Sequence, residues 1–254
     1  MARPRTTLVV QKTIRLTDHM IRVYLGGPGF AAFQPNEFTD AYVKLVFPGS
    51  DGETVRTYTV RSIDHAAQEI AIDFVYHGDE GVAGPWAAAA APGDTIELMG
   101  PGGAYAPRPD ADWHLLAGDD SALPAIAAAC AALPAGAVGH VFLEIGGPAD
   151  ELAIETPAGV QLTWLHRGDA APGEKLAAAV RAEPWREGQV HVFIHGEAQA
   201  VMHELRPYIR KERGVPAEWA SSISGYWRRG RTEEGFRRWK SELAEKEQAA
   251  RSAV

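Results

Sequence analysis

The chain has 254 residues, of which 46% are hydrophobic and 23% charged, and its formal net charge is −8. This composition is ordinary for a folded protein and gives no reason to expect disorder. The acidic balance excludes broad nucleic-acid binding, which needs a positive field to neutralise phosphates. The single cysteine, Cys130, excludes an intrachain disulfide and is typical of a reducing compartment.

The N-terminus lacks the apolar core of a signal peptide, and no stretch is long and apolar enough to span a bilayer. We therefore expect a soluble, cytoplasmic protein without membrane partners, and we expect a monomer.

The first half of the chain is predicted to form short strands separated by turns rich in glycine and proline. The segments rich in Val, Ile, Thr, Tyr and Phe are Thr7–Lys12, His19–Gly26, Ala41–Phe47, Val55–Asp64, Gln68–Tyr76 and Asp94–Met99. Six strands at this spacing predict a small antiparallel barrel. One short helix, Pro85–Ala91, interrupts them, with proline in its first turn.

After residue 112 strand and helix patterns alternate, which predicts a parallel sheet with crossover helices. The predicted strands are Trp113–Ala117, Val138–Ile145, Val160–Leu165 and Val190–His195, with Ser221–Gly230 a candidate last strand. The predicted helices are Ser121–Leu133, Glu174–Ala182 and Glu197–Arg213. Cys130 lies in the apolar run of the first of these helices, where we expect it to be a small buried residue.

The last predicted helix, Thr232–Ala250, carries Phe236, Trp239 and Leu243 three or four residues apart, which gives one apolar seam. We expect this seam to pack on the protein itself, and a partner or lid surface is the alternative. The chain thus divides into a barrel domain at residues 1–110, an α/β domain at 111–230 and a helical extension at 231–254. A cleft between two such domains is a usual place for a cofactor.

The strand segment Arg56-Thr57-Tyr58-Thr59-Val60-Arg61 has unusual chemistry. Positions 56, 58 and 60 face one side of a strand, yet the segment presents arginine, tyrosine and threonine together where a barrel strand would be apolar. A flavin dinucleotide needs such a set: a guanidinium for the pyrophosphate, a ring against the isoalloxazine and a hydroxyl near its reactive edge. An exposed edge strand with ordinary polar residues is the alternative.

A strand also ends at His77-Gly78, and the glycine-rich segment from Gly81 to Trp86 then opens a helix. Backbone N–H groups at a helix start, approached through glycines, can bind an anion. This arrangement suits a pyrophosphate already bound by Arg56.

Seven segments carry a resemblance that extends over nearly the whole chain. They are Tyr42-Val-Lys44-Leu, Arg56-Thr-Tyr-Thr-Val-Arg61, Val75-Tyr-His77-Gly78, Gly84-Pro85-Trp86, Gly118–Ala125, Gly196-Glu197-Ala198 and Gly225-Tyr226-Trp227-Arg228. In this order they resemble the siderophore-interacting protein family of FAD-dependent ferric-siderophore reductases, which belongs to the ferredoxin-reductase-like superfamily.

The resemblance implies three groups of site residues. The FAD-binding group would be Arg56, Tyr58, Thr59, Val60, Val75, His77, Gly78, Ala83, Gly84 and Trp86. The reductant-binding group would be Gly118, Asp119, Ser121, Gly196 and Glu197. The basic group facing the ferric siderophore would be Lys44, Arg228 and Arg229. Some family members have an arginine in the segment that reads Gly100-Pro101-Gly102-Gly103 here, so the basic group of this chain is thinner.

The reductant side has weaker signals. Ser121 is a candidate helix N-cap, but there is no Gly-x-Gly-x-x-Gly fingerprint. Asp119 and Asp120 favour a helix dipole but repel a pyrophosphate. NADH or NADPH in a displaced position is therefore the expected donor, and a ferredoxin is the alternative.

The resemblance implies that FAD takes electrons from a two-electron donor and passes them singly to Fe(III), and hard oxygen ligands then release the softer Fe(II). No catalytic side chain is required, and no metal site of the protein's own is visible in the sequence. Two alternatives stay open: a flavin reductase of the same fold with another acceptor, and a non-catalytic carrier of the ferric chelate.

Overall fold

The structure is a computed structural model that describes residues 4–49, 52–231, 235–236, 238–243 and 245. The strands of its first half are β1 (Thr6–Thr17), β2 (Met20–Gly26), β3 (Tyr42–Phe47), β4 (Thr54–Asp64), β5 (Glu69–Val75) and β6 (Thr95–Gly102). They form a closed antiparallel barrel in the order β1-β2-β5-β4-β3-β6. The predicted six-stranded barrel is confirmed, and β1 is longer than the sequence indicated.

The barrel interior is filled by alternate apolar residues of its strands, as the period of two requires. Residues with no exposed surface include Val23, Leu25, Val43, Leu45, Ile70, Ile72, Phe74 and Leu98. A short helix, α1 (Ala83–Ala89), packs its buried Ala83 and Ala87 on this core. It starts two residues before the predicted helix, because Pro85 needs no N–H partner within the first turn and the helix can begin ahead of it.

The second half contains β7 (Trp113–Asp119), α2 (Leu123–Ala132), β8 (Val138–Ile145), β9 (Gly159–His166), α3 (Glu174–Ala182), β10 (Val190–Glu197) and β11 (Ser222–Trp227). The strands form one sheet in the order β11-β10-β7-β8-β9, and every neighbouring pair is parallel. The predicted α/β architecture is confirmed. Every residue of β7 and β10 is buried, as expected for central strands covered on both faces. Cys130 is buried in α2, as predicted.

The predicted helix Glu197–Arg213 is wrong at its start, because β10 continues through Glu197. The backbone of Glu197 pairs with Trp227 of β11, and its carboxylate accepts hydrogen bonds from the N–H groups of Gln199 (2.5 Å) and Ala200 (3.2 Å). Glu197 therefore ends the strand and caps the helical segment that follows. That segment contains wide π-helical turns at Gln199–Leu205 and Tyr208–Glu212.

The described residues at positions 235–236, 238–243 and 245 are helical. Phe236 is buried, and Trp239 and Leu243 pack with it on the core that contains Met202 and Leu205. The predicted apolar seam thus packs on the protein itself, while the remainder of the predicted helix Thr232–Ala250 lies outside the described residues. No helix within the described part of the chain combines the length and apolarity that crossing a membrane requires.

Tyr105, in the segment between β6 and β7, contacts both halves of the molecule. Its N–H donates to Asp40 Oδ1 at 2.8 Å, and its carbonyl accepts from the N–H of Thr39 at 2.8 Å, both on the barrel side. Its ring lies 4.7 Å from the rings of His191 and Phe193 on β10. This residue therefore links the barrel to the sheet.

Candidate functional site

Strand β4 places Arg56, Tyr58 and Val60 on one face, as predicted. Arg56 pairs with Leu45 and Tyr58 with Val43, two residues of the barrel interior. The expectation that Thr59 joins them is wrong, because alternation along the strand turns Thr59 to the opposite face, where it pairs with Tyr42. Arg56 and Tyr58 are half-buried, and Arg56 Nη1 donates to the carbonyl of Val55 at 3.1 Å.

A row of four rings connects the predicted flavin residues Tyr58 and Trp86. Ring centroids are 4.5 Å apart between Tyr58 and Phe74, 5.7 Å between Phe74 and Trp86, and 5.7 Å between Trp86 and Phe47. Sequence reasoning missed Phe47 and Phe74, although both are aromatic residues of predicted strands. Phe74 and Phe47 are buried, so a ligand can reach the row only at the half-buried rings of Tyr58 and Trp86.

The loop from β5 to α1 holds the other predicted flavin residues. His77 is exposed, Val75 is half-buried, and Gly78 and Gly81 have φ angles of 66° and 74°, with no heavy atom within 4 Å of a Cβ built at either position. A ligand can therefore approach this backbone closely. A Cβ on Gly84 would lie 3.3 Å from the carbonyl of Val75, so the glycine lets α1 pack on the end of β5.

These residues fit a flavin dinucleotide. Adjoining elements carry an arginine, a row of rings and an open glycine loop. The first turn of α1, which follows this loop, has no side-chain cap. Together they offer a cation for the pyrophosphate and an apolar surface for the isoalloxazine. Within this group the side chains of Val60 and Ala83 belong to the barrel core, so they contribute to packing and to backbone position.

The predicted reductant residues meet at the carboxyl ends of β7 and β10. In the sheet β7 lies between β8 and β10, so the chain runs from β7 to β8 and β9 on one side and returns to β10 and β11 on the other. Open α/β sheets bind ligands at the carboxyl ends of the strands where the order reverses in this way. Asp119 is buried and accepts four hydrogen bonds, from Ser121 N (3.0 Å), Ser121 Oγ (2.5 Å), Glu197 N (2.9 Å) and Trp227 Nε1 (2.8 Å).

The prediction that Ser121 is an N-cap is wrong, because its hydroxyl donates to Asp119. The N-cap of α2 is Ala122, which has no side-chain cap. Burial and, after it, the neighbouring charge of Asp120 raise the pKa of Asp119 to about 6, against the lowering effect of its hydrogen bonds. This carboxylate connects the ends of β7, β10 and β11.

Gly118 and Gly196 allow these strand ends to approach closely. A Cβ on Gly118 would lie 2.7 Å from the carbonyl of His195, and a Cβ on Gly196, whose φ is 145°, would lie 2.7 Å from Asp119 Oδ2. The five predicted reductant residues are therefore brought together, and Asp119 and Glu197 are already bonded to protein groups.

Sequence reasoning missed two charged groups at the same edge. Glu144, at the end of β8, has no exposed surface and accepts hydrogen bonds from the N–H groups of Gly173 (2.7 Å) and Leu176 (3.0 Å). Arg167, just after β9, lies 3.4 Å from Asp120 and 3.7 Å from Glu144. Glu144 could have been found from the sequence, because it is a charged residue near the end of the predicted buried strand Val138–Ile145.

The predicted siderophore residues lie on both halves of the molecule. Lys44 is half-buried on the outer face of β3, where it pairs with Thr57 of β4 and Met99 of β6. Arg228 follows β11 and its guanidinium carbon lies 4.2 Å from the ring centre of Trp239. Arg229 is exposed, and its N–H donates to Glu197 Oε1 at 3.2 Å.

Family models match both halves. The model of the siderophore-interacting FAD-binding domain covers residues 9–55 and 48–105, and that of the siderophore-interacting protein covers residues 111–230. The chain belongs to the siderophore-interacting protein family. A crystal structure of a siderophore utilization protein from T. fusca is 36% identical, with a TM-score of 0.82, and the match covers 90% of this chain and 94% of that one.

Three relatives span a range of identities within or near the family. An uncharacterized protein of Mycobacterium tuberculosis is 55% identical over 96% of this chain and 98% of its own length. The ferric vibriobactin reductase of Vibrio cholerae is 32% identical over 92% of both chains. The NADPH-dependent ferric-chelate reductase of Escherichia coli is 29% identical over 79% of this chain and 85% of its own.

Two buried histidines of β10 are expected to make the folded chain less stable in acid. Burial lowers the pKa of His191 to about 4 and that of His195 to about 3. Both values lie below the pKa of about 6.5 that a histidine has in the unfolded chain, so the unfolded state binds protons first as the pH falls. The contribution of these two histidines to the free energy of unfolding is therefore full above about pH 6.5 and is lost as the pH falls toward the folded-state values. We expect unfolding free energy to fall by about 1–2 kcal/mol per histidine between pH 7 and pH 5.

Urea unfolding at the two pH values measures this loss. His195→Gln, which keeps a polar partner for Ser222 Oγ, should show a smaller loss than the wild type. The exposed His65→Gln should match the wild type. An equal loss in His195→Gln and the wild type contradicts the prediction.

Proposed function

We propose that this protein is an FAD-dependent ferric-siderophore reductase that acts in the cytoplasm as a monomer and takes electrons from NADPH or NADH. The observation that carries the proposal is the position of Lys44. On the neighbouring strand β4 it pairs with Thr57, the residue between Arg56 and Tyr58. A cation for an anionic chelate thus lies one strand away from the residues that fit a flavin, in a chain of the siderophore-interacting family.

Arg56 would bind the FAD pyrophosphate, since a guanidinium gives two charge-assisted hydrogen bonds to phosphate oxygens. The backbone from Gly78 to Gly84 would approach the same phosphates, and Tyr58 would lie against the isoalloxazine. Thr59, on the opposite face with Tyr42, would place its hydroxyl on the side that bears Lys44. Bound FAD supplies the conversion of a two-electron donor into single-electron transfer.

The ferric siderophore is the substrate. The protein contacts the chelate and contributes no side chain as a ligand to the iron. Lys44, Arg228 and Arg229 attract the anionic chelate and set its distance from the cofactor. Reduction yields Fe(II), a less charged and softer ion that hard oxygen ligands bind more weakly, and the siderophore releases it.

NADPH or NADH is the proposed donor, and the name of the Escherichia coli relative, an NADPH-dependent ferric-chelate reductase, supports it. Asp119, Asp120 and Glu144 disfavour a pyrophosphate directly over the end of β7. The donor therefore binds displaced from that position, toward Arg167. A ferredoxin is the alternative, and the net charge of −8 disfavours its docking because ferredoxins are acidic.

Lys44→Ala should raise the Michaelis constant for an anionic ferric chelate about tenfold, because one charge contact near the protein surface is lost. Flavin content should not change, since Lys44 lies on the other face of the strand pair from Arg56 and Tyr58. Anaerobic steady-state reduction of a ferric chelate measures this. Lys12→Ala, a change of an exposed lysine on β1, is the matched control. Loss of flavin from Lys44→Ala, or an unchanged Michaelis constant, contradicts the assignment.

A further inference from the structure

Tyr42, the first residue of β3, carries a large ring on the outer surface of the barrel. It is 37% exposed, and it pairs with Thr59 of β4 and Gly102 of β6. A Cβ built on Gly102 would lie 2.5 Å from Cζ of Tyr42 and 2.6 Å from its hydroxyl oxygen. The ring therefore lies directly over Gly102, and any side chain at position 102 would displace it. One side of the ring rests on this backbone, and the remainder is open to solvent.

A second ring covers the next glycine. A Cβ on Gly103 would lie 2.7 Å from Cβ of Phe38 and 3.0 Å from its Cδ2. The side chain of Asn36 holds the two parts together, because its Nδ2 donates to the carbonyl of Gly102 and its Oδ1 accepts from the N–H of Phe38, both at 3.1 Å. The half-buried Phe38 and the exposed Tyr42 thus form a fixed aromatic surface at the end of β6.

This aromatic surface lies beside the cations assigned to the ferric siderophore. Lys44 is two residues further along β3, on the same face as Tyr42. On the other half of the molecule, Tyr226 near the end of β11 comes two residues before Arg228. Burial, together with nearby acidic groups that include Tyr42, raises the pKa of Tyr226. Tyr42 therefore lies where the barrel faces the end of β11.

The barrel side of this place offers few charges. Segment 100–103 contains no ionisable side chain. Asp40, two residues before Tyr42, already accepts hydrogen bonds from the N–H groups of Ala104 and Tyr105, both at 2.8 Å. A chelate that contacts the barrel here therefore meets Lys44 and an exposed ring rather than a cluster of cations.

We infer that Tyr42 makes the protein selective for ferric siderophores that bind iron through aryl oxygens, the catecholates and phenolates. The inference rests on the proposed function and narrows its substrate class. The flat ring of such a ligand stacks on Tyr42, while Lys44 attracts the negative charge of the iron-bound oxygens. Chelates built from aliphatic carboxylates gain only the attraction to Lys44.

Isothermal titration calorimetry of the flavin-loaded protein with two gallium(III) complexes tests the inference. Gallium(III) carries the charge of Fe(III) and is not reduced by a flavin, so binding is measured without turnover. One complex is formed with 2,3-dihydroxybenzoate, which brings aryl rings, and the other with citrate, which is anionic and has none. Tyr42→Leu should bind the dihydroxybenzoate complex about three- to tenfold more weakly than the wild type, as expected for one lost ring pair. Its affinity for the citrate complex should not change.

Three variants separate the ring from charge and from general effects. Tyr42→Phe keeps the ring and should bind both complexes as the wild type does. Lys44→Ala removes charge and should weaken the binding of both. Tyr24→Leu changes a half-buried tyrosine of β2 whose ring lies 3.9 Å from Lys12 Nζ, and as the matched control it should bind both complexes unchanged.

An unchanged affinity of Tyr42→Leu for the dihydroxybenzoate complex, or an equal loss for both complexes, overturns the inference and leaves the proposed function standing. Loss of flavin from Tyr42→Leu also overturns it, because Tyr42 would then belong to the cofactor site. A wild type that binds neither complex contradicts the proposed function itself.

Discussion

Arg56→Ala is expected to purify without its flavin and to bind added FAD about 10- to 100-fold more weakly than the wild type, which corresponds to one lost charge-assisted contact. The side chain is half-buried on β4, where Arg56 pairs with Leu45, and Arg56 is the cation nearest to Tyr58 in the sequence. Removal of the guanidinium leaves the pyrophosphate charge unmatched. Flavin absorbance per protein after purification measures the effect.

Arg56→Lys keeps the charge but loses the two-point contact, so it should retain an intermediate amount of flavin. Arg61→Ala serves as the matched control. Arg61 is half-buried on the same strand, and burial together with the charge of Arg22 lowers the pKa of its guanidinium. The Arg61→Ala variant should keep its flavin. Equal flavin content in Arg56→Ala and the wild type would overturn the role of Arg56.

Tyr105→Ala is expected to lower the free energy of unfolding by about 3–5 kcal/mol, the usual cost of removing a large aromatic ring from a core. The ring is 2% exposed and packs on His191 and Phe193, while its backbone is bonded to Thr39 and Asp40. The cavity would lie where the barrel meets the sheet. Urea unfolding followed by circular dichroism measures the change.

Tyr105→Phe separates packing from hydrogen bonding. The hydroxyl of Tyr105 is buried and has no hydrogen-bond partner among the described residues, so its removal should be neutral or slightly stabilising. A loss in Tyr105→Phe as large as that in Tyr105→Ala would show that the hydroxyl, and not the ring, holds the two halves together.

The fold was largely predictable because its signals are local. Alternating apolar residues separated by glycine- and proline-rich turns predicted the barrel, and the change to alternating strands and helices predicted the parallel sheet. The error at Glu197 has a physical origin. A glutamate followed by alanines has high helix propensity, but pairing with Trp227 and capping of the next turn keep it in the strand.

The sequence proposed individual site residues but could not give their three-dimensional relations. The sequence identified Asp119 and Glu197 but could not reveal that the N–H of Glu197 and the indole of Trp227 both donate to Asp119, since these donors lie 78 and 108 positions away. Thr59 was placed with Arg56 and Tyr58 because the three are adjacent in sequence, although strand alternation separates them.

The absorbance spectrum of the purified protein, followed without oxygen, tests the central proposal most directly. We expect a flavin spectrum that bleaches on addition of NADPH or NADH and returns when a ferric siderophore is added, with Fe(II) captured by a ferrous chelator. A protein that has no flavin spectrum and takes up no added FAD contradicts the account. So does a bleached flavin that keeps its electrons in the presence of the ferric siderophore.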